Sequence, residues 1–186
     1  MTGRTMADRV KVQETLLARF HRRGGPTRST AAFDSFPPDQ QQQVLEAARL
    51  VPDEVPVLLS WRDDHSWTLV TTQRASWKNG LAVESLKGSE IDSIVSPVTP
   101  NDPQRVLLSP DGLPLAVRLA TNRGQVVDLP VEPDKIAYGA MHHILTFVME
   151  ASQMKQAAPG KAAAAKPAKA PVKEGPLKAL SKLWQR

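Results

Sequence analysis

The chain changes its hydrophobic pattern once, and in a fixed order, between Val55 and Ala151. About seven short segments in which apolar and polar residues alternate are separated by turn residues, as expected for half-buried strands. One long amphipathic helix then begins near Asp134. A run of strands followed by a single helix predicts an α+β domain, and such an order can form a small barrel whose open end the helix covers. The order favours a binding scaffold over an enzyme.

Composition excludes several kinds of chemistry. The 186 residues contain no cysteine, so disulfides, thiolate metal sites and cysteine nucleophiles are excluded. The N-terminal residues lack the apolar core of a signal peptide, and no apolar run approaches the roughly 18 residues of a membrane span. We therefore expect one ordinary domain with extensions, soluble and cytoplasmic, with no cofactor.

The net charge of +5 is unevenly distributed along the chain. Residues 1–36 carry seven Lys/Arg and three Asp/Glu, and residues 155–186 carry eight and one. Residues 37–154 between them carry nine basic and fifteen acidic side chains. The predicted body is thus acidic and both ends are basic, so the high isoelectric point describes the ends.

Two helices are predicted before the strands. The first covers residues 6–23, ends at Gly24-Gly25-Pro26 and precedes a polar linker, residues 27–32. Its apolar side consists of Met6, Val10, Leu17 and Phe20. The second begins near Pro37, because proline suits a first helical turn, and ends at Pro52. Its apolar positions are Val44, Leu45, Ala48 and Val51.

The strands and the last helix follow. Predicted strand segments are residues 55–61, 67–71, 75–77, 81–83, 91–98, 106–108, 115–120 and 125–131. Asn79-Gly80 fits the positive φ angles of a type I′ hairpin turn. The helix runs from about Asp134, whose side chain can cap the first amides, to Lys155. Its predicted buried stripe contains Ile136, Ala140, Ile144, Phe147 or Val148, and Ala151.

The C-terminal tail has two parts. Residues 157–175 form an Ala/Lys/Pro tract without an apolar face, which predicts a disordered linker. Residues 176–186 predict a short amphipathic helix, too short to be stable alone, so its apolar stripe indicates a docking partner. The tentative partner-binding residues are Leu177, Leu180, Leu183 and Trp184. The opposite, basic face consists of Lys178, Lys182 and Arg186.

One segment, SWTLVTTQRASWKNGLAVESLKGSEIDSIV, resembles bacterial pleckstrin-homology-like (PH-like) domains. The matching motifs are a Thr-rich turn at residues 69–74, a W-x-x-G strand at residues 77–80 and an I-x-x-I segment at residues 91–94. The resemblance covers residues 53–152. It implies a seven-stranded, bent, antiparallel barrel capped by the C-terminal helix, and ligand or partner binding without catalysis.

The first hairpin departs from what the resemblance implies for lipid-binding members, which use basic residues there. Residues 62–65 read Arg-Asp-Asp-His, two acids against one certain cation. Phosphate recognition needs positive charge at close range. A lipid headgroup in that hairpin is therefore not expected.

Three residue groups suggest chemistry but have simpler interpretations. Asp63-Asp64-His65 could serve as a base or metal site, yet the spacing suits a polar turn. His142 and His143 are adjacent and point about 100° apart on a helix, so they cannot clamp one ion. One is expected at the core boundary and the other in solvent. Trp61, Trp67 and Trp77 are predicted to pack in the core, with partners for their indole N–H groups.

The resulting prediction is an intracellular, non-enzymatic interaction or scaffold module that binds a protein through the barrel, the terminal helix, or both. The alternative is a peripheral membrane protein at the inner face of the membrane, using the basic amphipathic tail. Nucleic-acid binding ranks third because the acidic body opposes it, and no motif supports an enzyme. The predicted segments are residues 1–36 (basic helix and linker), 37–52 (second helix), 53–156 (PH-like domain), 157–175 (linker) and 176–186 (terminal helix).

Overall fold

The protein is described by a computed structural model for residues 6–95 and 108–157. In these residues it is an α+β fold with three α-helices and eight strands, which confirms the predicted class. The helices are α1 (Met6–Arg22), α2 (Pro38–Ala48) and α3 (Lys135–Ala157). The strands are β1 (Thr30–Ala32), β2 (Pro56–Asp63), β3 (Ser66–Thr71), β4 (Arg74–Asn79), β5 (Ala82–Lys87), β6 (Ile91–Val95), β7 (Ala116–Thr121) and β8 (Val126–Pro130).

Two antiparallel sheets carry the fold. The first has the order β1-β2-β3-β4-β5 and the second the order β6-β7-β8. A short 3₁₀ turn, Gly88–Glu90, connects them and packs against α3. The Thr68 hydroxyl of β3 donates a buried 2.6 Å hydrogen bond to the Pro130 carbonyl of β8. The two sheets are therefore also in contact at this point.

The core lies on both faces of the first sheet. Leu58 of β2 belongs to a main cluster that α1, α3 and the second sheet also line, whereas the neighbouring Leu59 packs beneath α2. Because consecutive strand residues point to opposite faces, a strand covered on both sides reads as a continuous apolar run. This explains why residues 57–60 are all buried.

The predicted linker at residues 27–32 is wrong in its second half. Thr30–Ala32 pairs with β2, with Thr30 opposite Ser60, and the Thr30 hydroxyl donates to Ser60 Oγ at 2.9 Å. A strand of three residues is too short to show alternation, and its pairing is set by a partner about thirty residues away. The segment is tied further to the end of β8, because the Glu132 carboxylate accepts hydrogen bonds from the Thr27 hydroxyl and the Ser29 amide.

Both N-terminal helices form as predicted, with shifted buried faces. In α1 Leu16 and Phe20 are buried, whereas Val10 is 40% exposed, which contradicts its assignment to the apolar side. Helix α2 stops at Ala48, where Arg49 takes a left-handed conformation with φ 48°. Val51 consequently lies outside the helix and is half exposed. The chain leaves α2 before Pro52 because a left-handed residue ends a helix.

The hairpin turn between β4 and β5 differs from prediction. Asn79 pairs with Ala82, so the two central residues are Gly80 and Leu81. Positive φ occurs only at Gly80, at 78°, which is the pattern of a type II′ turn and not of type I′. Glycine was the informative residue, but it occupies the first central position.

Helix α3 begins as predicted. The Asp134 carboxylate accepts hydrogen bonds from the amides of Ile136 and Ala137, at 2.7 and 2.9 Å. The prediction that Ile136 is buried is wrong, since its side chain is 46% exposed. The stripe is instead rotated toward the following residue, so the buried positions are Ala137, Tyr138, Ala140, Met141, Ile144, Leu145 and Val148.

Two predicted strand segments extend beyond the described residues. Strand β6 ends at Val95, and residues 96–98 lie outside the description, as do residues 106 and 107. Leu108 forms an isolated antiparallel bridge with Pro114. Among the helices that the structure describes, none is both long and apolar enough to cross a membrane.

Candidate functional site

The predicted tail site falls outside the described part of the chain, which ends at residue 157. This concerns both of its faces: Leu177, Leu180, Leu183 and Trp184 on the apolar face, and Lys178, Lys182 and Arg186 on the basic one. Their role therefore stays a prediction. A candidate site within residues 6–95 and 108–157 is independent of this tail.

A cleft of about 680 Å³ lies between the end of α1, the first three turns of α3 and the turn that precedes β7. Its volume is in the range of small-molecule and peptide side-chain pockets. Tyr138, Leu108 and Pro114 supply apolar surface, and the remaining lining residues are polar, charged or glycine. The lining residues are Arg23, Leu108, Gly112, Pro114, Lys135, Tyr138, Gly139, His142, His143 and Thr146.

The cleft is cationic. Arg23 and Lys135 contribute full charges, and His142 and His143 add two ionisable rings. Among the described residues that line it, none is an aspartate or glutamate. Within the described residues, neither Arg23 nor Lys135 forms an ion pair. A concave surface with positive charge and no neutralising carboxylate suits an anion.

The local sequence explains how these cations converge. Helix α1 runs antiparallel to α3, and the Arg19 guanidinium stacks on the Phe147 ring at 4.3 Å. A Cβ atom placed on Gly24 would lie 3.2 Å from Ile136, so the end of α1 lies directly beside the start of α3. Arg23 thereby reaches the face of α3 that carries the histidines.

The two histidines share the cleft. Both rings are partly buried and line it, which confirms the prediction for the residue expected at the core boundary but not for the one expected in solvent. Burial, followed by the charge of Arg23, lowers the pKa of His142. The pKa of His143 is also lowered, first by burial and then by the charges of Arg23, Arg19, His142 and Arg22. The charges that lower these two pKa values are those of neighbouring arginines and, for His143, of His142, in agreement with a positive local potential.

Tyr138 forms the floor beside His142. Their ring centroids are 6.0 Å apart and the planes are tilted by 43°. Burial raises the pKa of Tyr138 to about 12, so its hydroxyl stays protonated at neutral pH. That hydroxyl donates a long 3.4 Å hydrogen bond to the Val95 carbonyl. Tyr138 therefore supplies neutral aromatic surface to the cleft.

A second cluster of charge, around Arg74, is closed. The Arg74 Nε donates to Glu54 Oε1 at 2.7 Å, and Nη2 donates to the carbonyls of Ala48 and Arg49 at the end of α2. The Thr71 hydroxyl donates to the same carboxylate oxygen at 2.6 Å. The Thr-rich turn at residues 69–74 thus holds α2 against the first sheet through these hydrogen bonds.

The first hairpin is a turn, as its structural interpretation predicted. The His65 amide donates to Asp63 Oδ1 at 2.8 Å, and both residues are exposed. Among the described residues there is no group of three or more His, Asp or Glu side chains placed to hold a metal ion.

The tryptophans of the strands pack in the core, as predicted. Trp77 belongs to the main cluster, Trp67 to the cluster beneath α2, and Trp61 packs against the latter. The expectation that every indole N–H finds a partner is wrong for Trp67, whose buried Nε1 has none in the described part of the chain.

Comparison with known proteins adds no identity. No family model, curated protein or solved structure matches this chain. The assignment of a site therefore depends on its physical character alone.

Sequence reasoning missed Arg23 and Lys135. Basic residues at the C-terminal end of a helix usually compensate the helix dipole, so the basic end of α1 does not by itself indicate a site. Lys135 sits next to the capping Asp134 and carries no motif of its own. The signal that could have identified them is the cationic end of α1 combined with two histidines on α3, but their proximity is a tertiary fact.

Proposed function

We propose that this chain is a non-enzymatic interaction module that binds a partner protein, and that the cationic cleft is the contact site of its folded body. The observation that carries the proposal is the cleft: about 680 Å³, with Arg23 and Lys135 at its wall and no acidic residue among the described residues that line it. A surface that concentrates one sign of charge around an aromatic floor is built to recognise a complementary group.

A PH-like barrel is the scaffold that we propose for this site. Its support is the order of elements after β1, with four strands in the first sheet, three in the second and then α3. The hydrogen bond from Thr68 to Pro130 brings the two sheets together at one corner. The barrel would be contradicted by an experimental structure in which β2–β5 and β6–β8 are the two sheets of an open sandwich and are separate away from this corner.

The terminal helix is the second proposed contact. Leu177, Leu180, Leu183 and Trp184 would enter an apolar groove of the partner, with the tract of residues 157–175 as a tether. The proposed location is the cytoplasm, including the inner face of the membrane.

Affinity capture from cells tests the protein-binding role. Full-length wild type, Leu180→Asp and Arg23→Gln are compared as baits, with Arg62→Gln as a charge-matched control in the exposed first hairpin. We expect Leu180→Asp or Arg23→Gln to remove a partner that Arg62→Gln retains. Identical capture by all four baits would contradict both proposed contacts.

A peripheral membrane protein is the second candidate, favoured by the basic face of Lys178, Lys182 and Arg186. Each such side chain contributes on the order of 1 kcal/mol at an anionic surface. Co-sedimentation with anionic vesicles that falls steeply with salt, and that Leu180→Asp weakens, would support it. Absence of sedimentation with anionic and with neutral vesicles would eliminate it.

A further inference from the structure

The cleft's charge raises the question of which anion it fits. Arg23 offers a planar guanidinium that can donate two parallel hydrogen bonds to a carboxylate or a phosphate, and Lys135 offers a point charge. Both groups of ligand are therefore compatible with the cations alone. The surroundings of the cleft separate them.

The start of α3 argues against a dianion. A helix N-terminus is the usual site for phosphate because its free amides and dipole point at the ligand. Here the Asp134 carboxylate already accepts hydrogen bonds from the Ile136 and Ala137 amides. Those two amides are engaged, and the negative charge of Asp134 sits next to Lys135. A ligand that carries two negative charges is therefore disfavoured at this end of the cleft, whereas a ligand with one negative charge fits.

The remaining wall favours an apolar body attached to the anion. Tyr138 is an aromatic surface, and Leu108 and Pro114 are aliphatic. The Thr146 hydroxyl donates to the His142 carbonyl at 2.9 Å, so its proton is not offered to a ligand. A ligand whose single anionic group contacts Arg23 and Lys135, and whose apolar part packs against Tyr138, matches both the charged and the apolar lining residues.

We infer that the cleft is a carboxylate-binding site whose ligand carries one carboxylate on an apolar stem, and that binding is coupled to protonation of His142 and His143. This inference rests on the proposed binding function and specifies its ligand. The carboxylate could belong to an acidic segment of a partner protein or to a free small acid. Both sources present the same chemistry to the cleft.

The coupling follows from the charges that face the two rings. Arg19, Arg22 and Arg23 come from α1 and Lys135 from α3, while Tyr138 is neutral. The acids that neighbour the lining residues in sequence are Asp111, Glu132, Asp134 and Glu150, none of which lines the cleft. Because the free cleft disfavours the imidazolium forms, a bound carboxylate should raise the pKa of both rings. Binding then takes up protons and tightens as the pH falls from about 7.5 toward 5.5.

Histidine titration by NMR tests this inference on the full-length protein. The probes are hexanoate, its neutral counterpart hexanamide, a blocked hexaglutamate peptide and inorganic phosphate. We expect hexanoate or the peptide to raise the titration midpoints of His142 and His143, whereas hexanamide should not. His21 and His65 lie outside the cleft and serve as internal controls, whose resonances should not respond.

Variants complete the design. Arg23→Gln should weaken probe binding by roughly tenfold, the loss expected for one charged hydrogen-bonding partner. Arg62→Gln makes the same charge change at the exposed end of β2 and should leave binding unaltered. His142→Gln combined with His143→Gln should remove the pH dependence of the affinity.

The outcomes separate this inference from the proposed function. A response to the peptide supports both, since it identifies an acidic protein segment as the source. A response to hexanoate alone supports the carboxylate site and contradicts a protein ligand in the cleft. A response to phosphate alone, an equal effect on His21 and His65, or no response to any probe would overturn the carboxylate site. In that last case capture of a partner through Leu180 would remain a separate result.

Discussion

Two arginines, Arg74 and Arg23, occupy opposite electrostatic settings in the same domain. Arg74 is enclosed, with the fully buried Glu54 carboxylate on one side and the carbonyls of Ala48 and Arg49 on the other. Arg23 stands at the edge of a cleft whose lining, in the part of the chain that the structure describes, contains no carboxylate. A cation surrounded by acceptors holds elements together, whereas a cation that faces open space and other cations is available to a ligand.

The clefts beside Arg74 and Arg23 also differ in the charge of the residues that line them. Arg74 borders two depressions of about 510 and 250 Å³, and these contain Glu46 and Glu84 or Glu54. Acidic residues therefore line these depressions together with Arg74, and one of them, Glu54, pairs with its guanidinium. Among the described residues, the larger cleft beside Arg23 is lined by no acid. Volume alone would not distinguish these sites, but the balance of charge does.

The largest effect is expected at the closed arginine. Arg74→Met should lower the free energy of unfolding by about 3–5 kcal/mol, because it leaves the buried Glu54 carboxylate without its cation. Urea denaturation measures the change, with Arg62→Met as the surface control. A loss below about 1 kcal/mol would mean that the pair is not structural, within the range of surface substitutions.

A second variant separates loss of stability from loss of binding. Gly80→Val places a β-branched residue at φ 78° with no atom within 4 Å of its Cβ, so its effect is backbone strain alone. We expect a loss of about 1–3 kcal/mol. Because the β4–β5 turn contributes nothing to the cleft, hexanoate affinity under native conditions should equal that of wild type. Weaker hexanoate binding would show that affinity reports general stability.

The Asp134 side chain is expected to affect both the stability of α3 and the affinity of the cleft for its ligand. Asp134→Ala removes the cap of α3 and should cost about 1 kcal/mol. Asp134→Asn keeps a capping oxygen and should cost only a few tenths of that amount. Both variants remove the negative charge beside Lys135, so both should bind hexanoate more tightly than wild type. Calorimetric titration checks the affinities, and unchanged or weaker binding by Asp134→Asn would contradict the argument that this charge limits the ligand.

The histidines predict a smaller, pH-dependent effect. Since folding lowers the pKa of His142 and His143 below the ordinary value of 6.5, the unfolded chain binds more protons in the acidic range. Their contribution to stability is therefore fully present above pH 6.5 and is lost as the pH falls from there through the lowered pKa of the folded state. The variant with both residues changed to Gln should lose less stability between pH 7.5 and 5.5 than wild type. Equal losses in thermal unfolding would show that the cleft does not disfavour the charged rings.

Local patterns predicted the elements of the fold well. Strand alternation, the proline at the start of α2 and the cap at Asp134 each depend on neighbours within a few residues. The errors lie where distant partners decide. Strand β1 exists because β2 is there to pair with it, and Val10 and Ile136 are exposed because packing chose a neighbouring stripe of the same helix.

The candidate site was less predictable than the fold. The histidine pair on α3 attracted notice, but its partners Arg23 and Lys135 are separated from each other by more than a hundred residues. Charge counted along the chain described the body as acidic. Only the antiparallel packing of α1 on α3 shows that this acidic body carries a cationic cleft. The tail, in contrast, carries a local pattern, and its role stays a prediction.

The most direct test of the contrast between the arginines is urea unfolding of wild type and Arg23→Gln, with and without hexanoate. Without hexanoate the two should agree within about 0.5 kcal/mol, as for a surface substitution. With hexanoate at about ten times its wild-type Kd, wild type should gain about 1.4 kcal/mol and Arg23→Gln only about 0.4 kcal/mol. An equal gain in both proteins, or a large loss in Arg23→Gln without hexanoate, would contradict the assignment of Arg23 to ligand binding.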